Sequence, residues 1–310
     1  MRIVFMGTPE FAVESLRALC DAGYDIAGVV TMPDKPAGRG QKIQKSAVKI
    51  FAEERNLPVL QPERLKDEAF IEQLRALKAD LQVVVAFRML PEIVWNMPPM
   101  GTVNVHASLL PQYRGAAPIN WAVMNGDTIT GVTTFKLQHD IDTGDVLMQK
   151  QIDILPDDDA GSVHDKLMAL GGQIIVETVR ALEKGTARPL RQSEMPQGES
   201  LRPAPKIFKD DMKIDWNRPS VEVHNKVRGL SPYPAAWTEL IDAKGNTTTA
   251  KIFRTAIADK VLPAGKTETD GKTYLAIGTA DKALFVSEIQ LAGKKRMDIR
   301  TFLQGFKFGS

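Results

Sequence analysis

Residues 104–121 read NVHASLLPQYRGAAPINW, and the first three positions set an amide, Asn104, two residues from an imidazole, His106. On an extended segment this spacing sends both side chains from one face. An amide donor beside an imidazole can hold an oxygen that becomes negative while a nucleophile adds to a carbonyl. The same pair can also be a buried Asn and His that satisfy backbone groups at a strand end. A second stretch, QHDIDTGDVL, shifts the balance toward chemistry. It follows the apolar run GVTTFKL, so its carboxylates arrive where a neighbouring strand ends. There Asp142 could hold an imidazolium by charge and hydrogen bond and relay protons. A calcium loop competes for the same acids. It fits poorly, because with Asp140 as first ligand the sixth position is Asp145 rather than Gly, and the twelfth is Gln151 rather than Glu. His139, His164 and His224 share no ligand spacing, so no metal is expected. The G-x-S-x-G elbow is missing and Cys20 sits early in an apolar helical run, which leaves no covalent nucleophile. An amide, an imidazole and a carboxylate without a protein nucleophile suit direct transfer between two substrates.

The elements that must position these groups alternate. RIVFMG reads as a strand, and TPEFAVESLRALCDAG as a helix with Thr8 as N-cap, Pro9 at the first helical position and Gly23 past the end. DIAGVVT, LPVLQ and DLQVVVAF read as strands separated by the helices SAVKIFAEERN and EAFIEQLRALKA. Their near-continuous apolar runs point to a parallel sheet covered on both faces. TVNVHA and GVTTFKLQH add strands, with a helix over 118–125 between them, and SVHDKLMALGGQIIVETVRALEKG is a long helix. The expectation is an α/β fold: a doubly wound, mostly parallel, Rossmann-like sheet over residues 1–188. Ligands bind beyond the carboxyl ends of such strands, where Asn104, His106 and Asp142 fall. The first turn, GTPEFA, holds one glycine of a dinucleotide fingerprint, so nicotinamide binding is not supported. Residues 189–208 are rich in proline and polar residues and read as a linker. Over 209–310 a helix, SVEVHNKVRGL, precedes short β-like runs, which suggests a small C-terminal β-barrel of the oligonucleotide-binding (OB-like) type.

At 310 residues, 43% hydrophobic and 25% charged, the chain can bury the cores of about two domains. One cysteine excludes a disulfide framework and a Cys-based metal site and fits a reducing compartment. MRIVFMGTPEF is already strand and turn, too short in its apolar run for a signal peptide or membrane span, so a cytoplasmic protein with no membrane partner is expected. Residues 206–310 hold 18 Lys and Arg against 12 Asp and Glu, a net +6, and the remainder 22 against 26, a net −4. That asymmetry hints at a polyanionic partner for the tail, or at a merely solvated basic face.

The stretch NVHASLLPQYRGAAP, followed by IDTGD, resembles the folate-dependent formyltransferase family. The resemblance implies a formyl group carried by 10-formyltetrahydrofolate and passed to a substrate amine, with Asn104, His106 and Asp142 as the catalytic trio. It further implies a folate site at Ser108, Leu109, Leu110 and Pro111, together with Phe87, Arg88 and Leu90. The segment PDKPAGRGQKIQKSAVK resembles the basic loop that tRNA-dependent members insert against an acceptor stem. Lys35, Arg39, Lys42, Lys45 and Lys49 stand there against Asp34 alone, and Arg39, Lys42 and Lys45 are the implied RNA contacts. KIDWNRPSVEVHNKVRGLSPYPAAWT and IQLAGKKRMDIRTFLQG resemble the opening and ending of those members' C-terminal domain, with Lys294, Lys295 and Arg296 facing phosphates. The implied partners are an aminoacylated initiator tRNA and tetrahydrofolate derivatives, and a monomer is expected. Two rivals remain: a sugar-nucleotide N-formyltransferase, and an RNA-binding module on an inactive enzyme fold. The sequence departs from the family at Arg88, where a glycine is usual after the aromatic residue, and at HDIDTG, although Asp142 stays in register.

Overall fold

A computed structural model of the chain describes residues 1–37, 42–196 and 200–309. In chain order these form β1 (Arg2–Gly7), α1 (Glu10–Asp21), β2 (Asp25–Val30), a hairpin of β3 (Lys35–Ala37) and β4 (Lys42–Gln44), α2 (Ala47–Glu54), β5 (Val59–Leu60) and α3 (Glu68–Ala76). Next come β6 (Leu81–Val85), α4 (Glu92–Trp95), β7 (Thr102–His106), α5 (Pro118–Met124), β8 (Ile129–Lys136), β9 (Val146–Asp153) and α6 (Ala160–Glu183). The chain ends with α7 (Ser220–Leu230), β10 (Ala236–Ile241), β11 (Thr247–Ile257), β12 (Thr267–Thr269), β13 (Leu275–Gly278), β14 (Ala283–Leu291), β15 (Met297–Asp298) and α8 (Ile299–Gly305).

Contacts divide the described residues into two compact units: 1–115, 130–152 and 164–203 in the first, and 116–129, 153–163 and 204–310 in the second. The first holds a seven-stranded sheet in the order β5-β2-β1-β6-β7-β8-β9. β5, β2, β1, β6 and β7 run parallel, and β8 runs antiparallel to β7. The expected doubly wound, mostly parallel sheet is therefore present, and strand order reverses at β1. Strands β1 and β6 are buried along nearly their whole length, as their near-continuous apolar runs require when both faces are covered. On one face Val4, Met6, Val30 and Val84 pack with Phe70, Ile71 and Leu74 of α3. α1 buries Phe11, Ala12, Ser15, Leu16 and Leu19, the spacing of one helical face. Its start differs from the sequence expectation. Pro9, in an extended conformation with ψ 174°, is the flanking residue, and the helix begins at Glu10. Thr8 does not cap it; its hydroxyl is buried without a partner among the described residues.

The second unit contains a curled antiparallel half-barrel, β10-β11-β14-β13-β12, with β15 beside β14, where a small OB-like barrel was expected. The register of β11 against β14 shifts around Arg254, and such bulges bend a strand. α7 lays Val223, Val227 and Leu230 on Leu240, Ile252, Ile277 and Val286, and α8 adds Phe302, stacked on Phe306 at 4.9 Å. Among the described residues no helix is long and apolar enough to cross a membrane.

His224 of α7 binds Thr255 Oγ1 at 3.0 Å, and burial, reinforced by the Arg228 charge, pulls its pKa below the ordinary 6.5. The folded chain thus resists a proton that the unfolded chain accepts. The stability that depends on neutral His224 is complete above about pH 6.5 and falls as pH drops through that value toward the folded one. Thermal midpoints measured between about pH 7 and 5 should decline, and His224→Gln should flatten that decline. An equal slope in the variant would assign the loss elsewhere.

Candidate active site

β7 carries Asn104 and His106 to the carboxyl edge of the sheet. Its pairing sets Asn104 opposite Val84 of β6 and Phe135 of β8, and sets His106 opposite Thr133. The two side chains leave one face, as their spacing predicts. His106 is 7% exposed, and its Nε2 lies 2.9 Å from the Tyr113 carbonyl oxygen. A carbonyl can only accept, so Nε2 carries the hydrogen and Nδ1 is the nitrogen left for chemistry. The ring stands edge to face on Phe135, with centroids 6.5 Å apart. The half-buried Asn104 amide bonds no other described residue.

Asp142 adopts a left-handed backbone, φ 54°, and its Oδ2 accepts from the Gly115 N–H at 2.9 Å. It does not bond His106 directly. Instead the imidazole and the carboxylate grip the same short segment, at Tyr113 and at Gly115. Tyr113 itself has φ 60°, and its N–H is held by the Arg202 carbonyl at 2.8 Å.

The SLLP segment is fixed by buried polar groups. Thr133 Oγ1 donates to Ser108 O at 2.7 Å and accepts from Leu110 N at 3.1 Å and from Gln149 Nε2 at 2.8 Å. Gln149 also donates to Leu110 O at 2.8 Å, and Ser108 Oγ donates to Gln112 O at 2.7 Å. Ser108, Leu110 and Pro111 are buried within this frame, which leaves Leu109 as the half-buried member. After β6, Ala86 has φ 46°, Phe87 is half-buried and Leu90 joins the core. Arg88 donates to the Glu63 carbonyl at 2.8 Å and to the Pro62 carbonyl, which ties this loop to the one after β5. Its Nε–H is buried without a partner, and burial draws its pKa below the guanidinium norm. This edge therefore offers the Asn104 amide, with half-buried Phe87 and Leu109 beside it. Such a set suits a flat heterocycle with a polar rim.

The basic residues expected to meet RNA divide into several cases. Arg39 lies outside the described residues. Lys42 stands in β4, so the expected loop is a hairpin at its base. Lys45 pairs with Glu53 at 2.7 Å, and Lys49 pairs with Asp34 at 2.6 Å and Gln61 at 2.8 Å. The Lys49 bond, then the Gln61 bond, hold the Asp34 carboxyl below its usual range. Lys294 and Lys295 are exposed, and neither side chain bonds another described residue. Arg296 pairs with Glu288 and lies over the Phe253 ring at 4.4 Å. Sequence reasoning passed over Gln192, which lies 3% exposed against the Asp142 turn. A lone amide in a polar connector gives no periodic signal.

The profile described as "Formyl transferase" matches residues 1–179, and that described as "Formyl transferase, C-terminal domain" matches 206–307. The chain is 58% identical over 312 residues to the methionyl-tRNA formyltransferase of Bacteroides thetaiotaomicron, covering 99% of this chain and 96% of that one. It is 58% identical over 311 residues to the protein of the same name from Parabacteroides distasonis, with 99% and 96% covered. Among solved structures its fold resembles WlaRD, a sugar 3N-formyl transferase, with TM-score 0.66, 20% identity and 95% and 99% of the two chains covered. It also resembles HypX from Aquifex aeolicus in complex with tetrahydrofolic acid, with TM-score 0.63, 20% identity and 99% and 48% covered.

The Asp142 turn tolerates no side chain at Gly144, where a Cβ would stand 1.7 Å from the Lys136 carbonyl oxygen. Gly144→Ala must move backbone, at a cost of about 1–3 kcal/mol. The check is the urea midpoint of the variant. A value equal to that of the unsubstituted protein would mean that the turn relaxes freely.

Proposed function

The chain belongs to the formyl transferase family, and on that premise we propose that it moves the formyl group of 10-formyltetrahydrofolate to the α-amine of a methionine esterified to initiator tRNA. The observation that carries the substrate choice is identity of 58% over nearly the whole length of relatives that bear that activity in their name. The folate supplies a formyl carbon for an amine to attack. Ser108 to Pro111, with Phe87, Arg88 and Leu90, form the loops that hold it. Within that set Leu109 and Phe87 give apolar contact, and Arg88 fixes the loop through its bonds to the Glu63 and Pro62 carbonyls.

The protein's own part in the reaction is electrostatic. As the amine adds, negative charge grows on the formyl oxygen, and Asn104 donates to it from an amide that no acceptor among the described residues claims. His106 joins in through Nδ1 when protonated, because Nε2 is committed to Tyr113. Asp142 acts on His106 without touching it, through the segment 113–115 and through water, and favours the imidazolium while protons leave the amine. The remaining acceleration comes from holding amine and carbonyl together. We assign catalysis to residues 1–188 and RNA binding to 209–310 with the β3–β4 hairpin, joined by a linker at 189–208. We also propose that the enzyme works in the cytoplasm as a monomer. Lys294 and Lys295 are free to meet phosphates at once. Lys45 and Arg296 must exchange Glu53 and Glu288 for them, and Arg39 and Lys42 complete the set.

The deciding assay is formyl transfer from 10-formyltetrahydrofolate to methionyl initiator tRNA, run beside a sugar-nucleotide amine. Asn104→Ala and His106→Ala should each lower turnover by about 100- to 1,000-fold, the usual effect of removing an oxyanion donor. Near-normal turnover in either would remove these residues from the mechanism, and transfer to the sugar alone would replace the acceptor. Affinity for the tRNA should fall steeply with salt, and the log–log slope should shrink by about one for each of Lys294→Ala and Lys295→Ala. An unchanged slope in both would take this turn off the phosphate path.

A further inference from the structure

Gln192 stands in a short 3-10 turn, Gln192–Glu194, just after a bridge between Leu190 and Val146 that fastens the connector to the start of β9. Its side-chain oxygen accepts from Arg114 Nε at 3.0 Å and from Arg114 Nη2 at 2.6 Å. Its side-chain nitrogen donates to the carbonyls of Asp142 at 2.8 Å and Gly144 at 2.9 Å. A carboxamide has two acceptor positions and two donor hydrogens, so this buried side chain is saturated. No other side chain reproduces that pattern at that reach. Glutamate keeps the acceptors and loses both donors, asparagine falls one methylene short, and leucine loses all four bonds.

What these bonds hold is a conformation that does not hold itself. Asp142 is a non-glycine residue at φ 54°, sparsely populated for any residue with a Cβ, and Gln192 bonds the carbonyl of that same residue. The Asp142 carboxylate then reaches Gly115, the neighbour of Arg114, whose guanidinium returns to Gln192. On the other side of Arg114, the Tyr113 carbonyl takes the His106 hydrogen. The path Gln192, Asp142, Gly115, Arg114, Gln192 is a closed ring with His106 attached at its rim.

We propose that Gln192 is a positioning residue for the formyl transfer: through this ring it fixes the Asp142 turn and the Tyr113 carbonyl in one register, and so sets His106 and Asp142 relative to each other. The inference rests on the function assigned above. Its geometric half is independent of that function and can be read in the protein without substrate.

The test uses Gln192→Leu and Gln192→Glu in the full chain. A catalytic group displaced by about an ångström costs on the order of 100-fold in rate. Both variants should therefore lose about that factor in kcat, while KM for folate and for tRNA moves little and the folded fraction stays high. Amide exchange of Gly115, followed by NMR without substrate, should accelerate in both. Gln192→Glu is decisive, since it retains a partner for Arg114 and replaces the two donors to the turn with a carboxylate oxygen that the Asp142 and Gly144 carbonyls repel. Wild-type kcat and Gly115 protection in a folded Gln192→Glu protein would overturn the proposal. So would a lowered melting point with unchanged kcat, the mark of a purely structural residue. If Gln192→Leu does not fold, the near-isosteric Gln192→Glu still decides. If the unsubstituted protein transfers no formyl group, the assigned function fails, and Gly115 exchange alone judges the ring.

Discussion

The hydrogen bond from His106 Nε2 to the Tyr113 carbonyl governs the chemistry of this edge, because it removes one of the two ways an imidazole can carry a single proton. A ring free to change tautomer would present either nitrogen to a substrate. Here Nδ1 alone takes or gives. The carbonyl is in place only because Tyr113 adopts a left-handed backbone, which is itself held by Arg202 from a distant part of the chain. Arg202 N also donates to the Gln112 side chain at 2.9 Å, so two consecutive residues of the loop are tied to Arg202. The tautomer of His106 thus depends on chain segments about a hundred residues apart in sequence.

Strain gathers around the same edge. Ala86, Tyr113 and Asp142 are non-glycine residues with positive φ, each at a cost on the order of 1–3 kcal/mol. Each follows or faces the carboxyl end of a strand in the first unit. The offsetting bonds come from polar side chains, buried Thr133 and Gln192 and half-buried Gln149, which are worth most when fully satisfied and costly when left incomplete. Thr133 serves three partners with one hydroxyl. The apolar core supplies the platform, and these amides and hydroxyls supply the aim.

The platform was legible in the sequence because β1 and β6 are buried on both faces and say so in near-continuous apolar runs. β9 was not legible. It lies at the sheet edge half-exposed, and VLMQKQID shows neither strict alternation nor an apolar run. The β3–β4 hairpin was hidden by prolines and glycines that read as loop. Asn104 and His106 could be placed because a spacing of two has one meaning on a strand. Asp142 could be named but not oriented, since a left-handed residue in a turn aims its side chain by backbone that no periodicity encodes. The charge count over 33–49 also misled in one respect. It treated Lys45 and Lys49 as free cations, and the fold gives them Glu53 and Asp34. Ion pairs across turns of the chain do not show in composition.

The two compact units interleave along the chain, which passes from one to the other five times. This bears on synthesis. Domains commonly fold as they emerge from the ribosome, N-terminal part first. Here neither unit is a continuous stretch. Residues 116–129 and 153–163 emerge early, yet the bulk of their unit begins only at Ala204, so they must wait. α5 is among them, and it meets Gly229 of α7 through the Asn120 side chain at 2.8 Å. The first unit likewise stays open until residue 203, which includes both Gln192 and Arg202. The loop over 112–115 therefore acquires its fixed shape late, only after Gln192 and Arg202 have been made. A nascent chain halted before that point would display Asn104, His106 and Asp142 without the bonds from Gln192 and Arg202 that fix the segments around them.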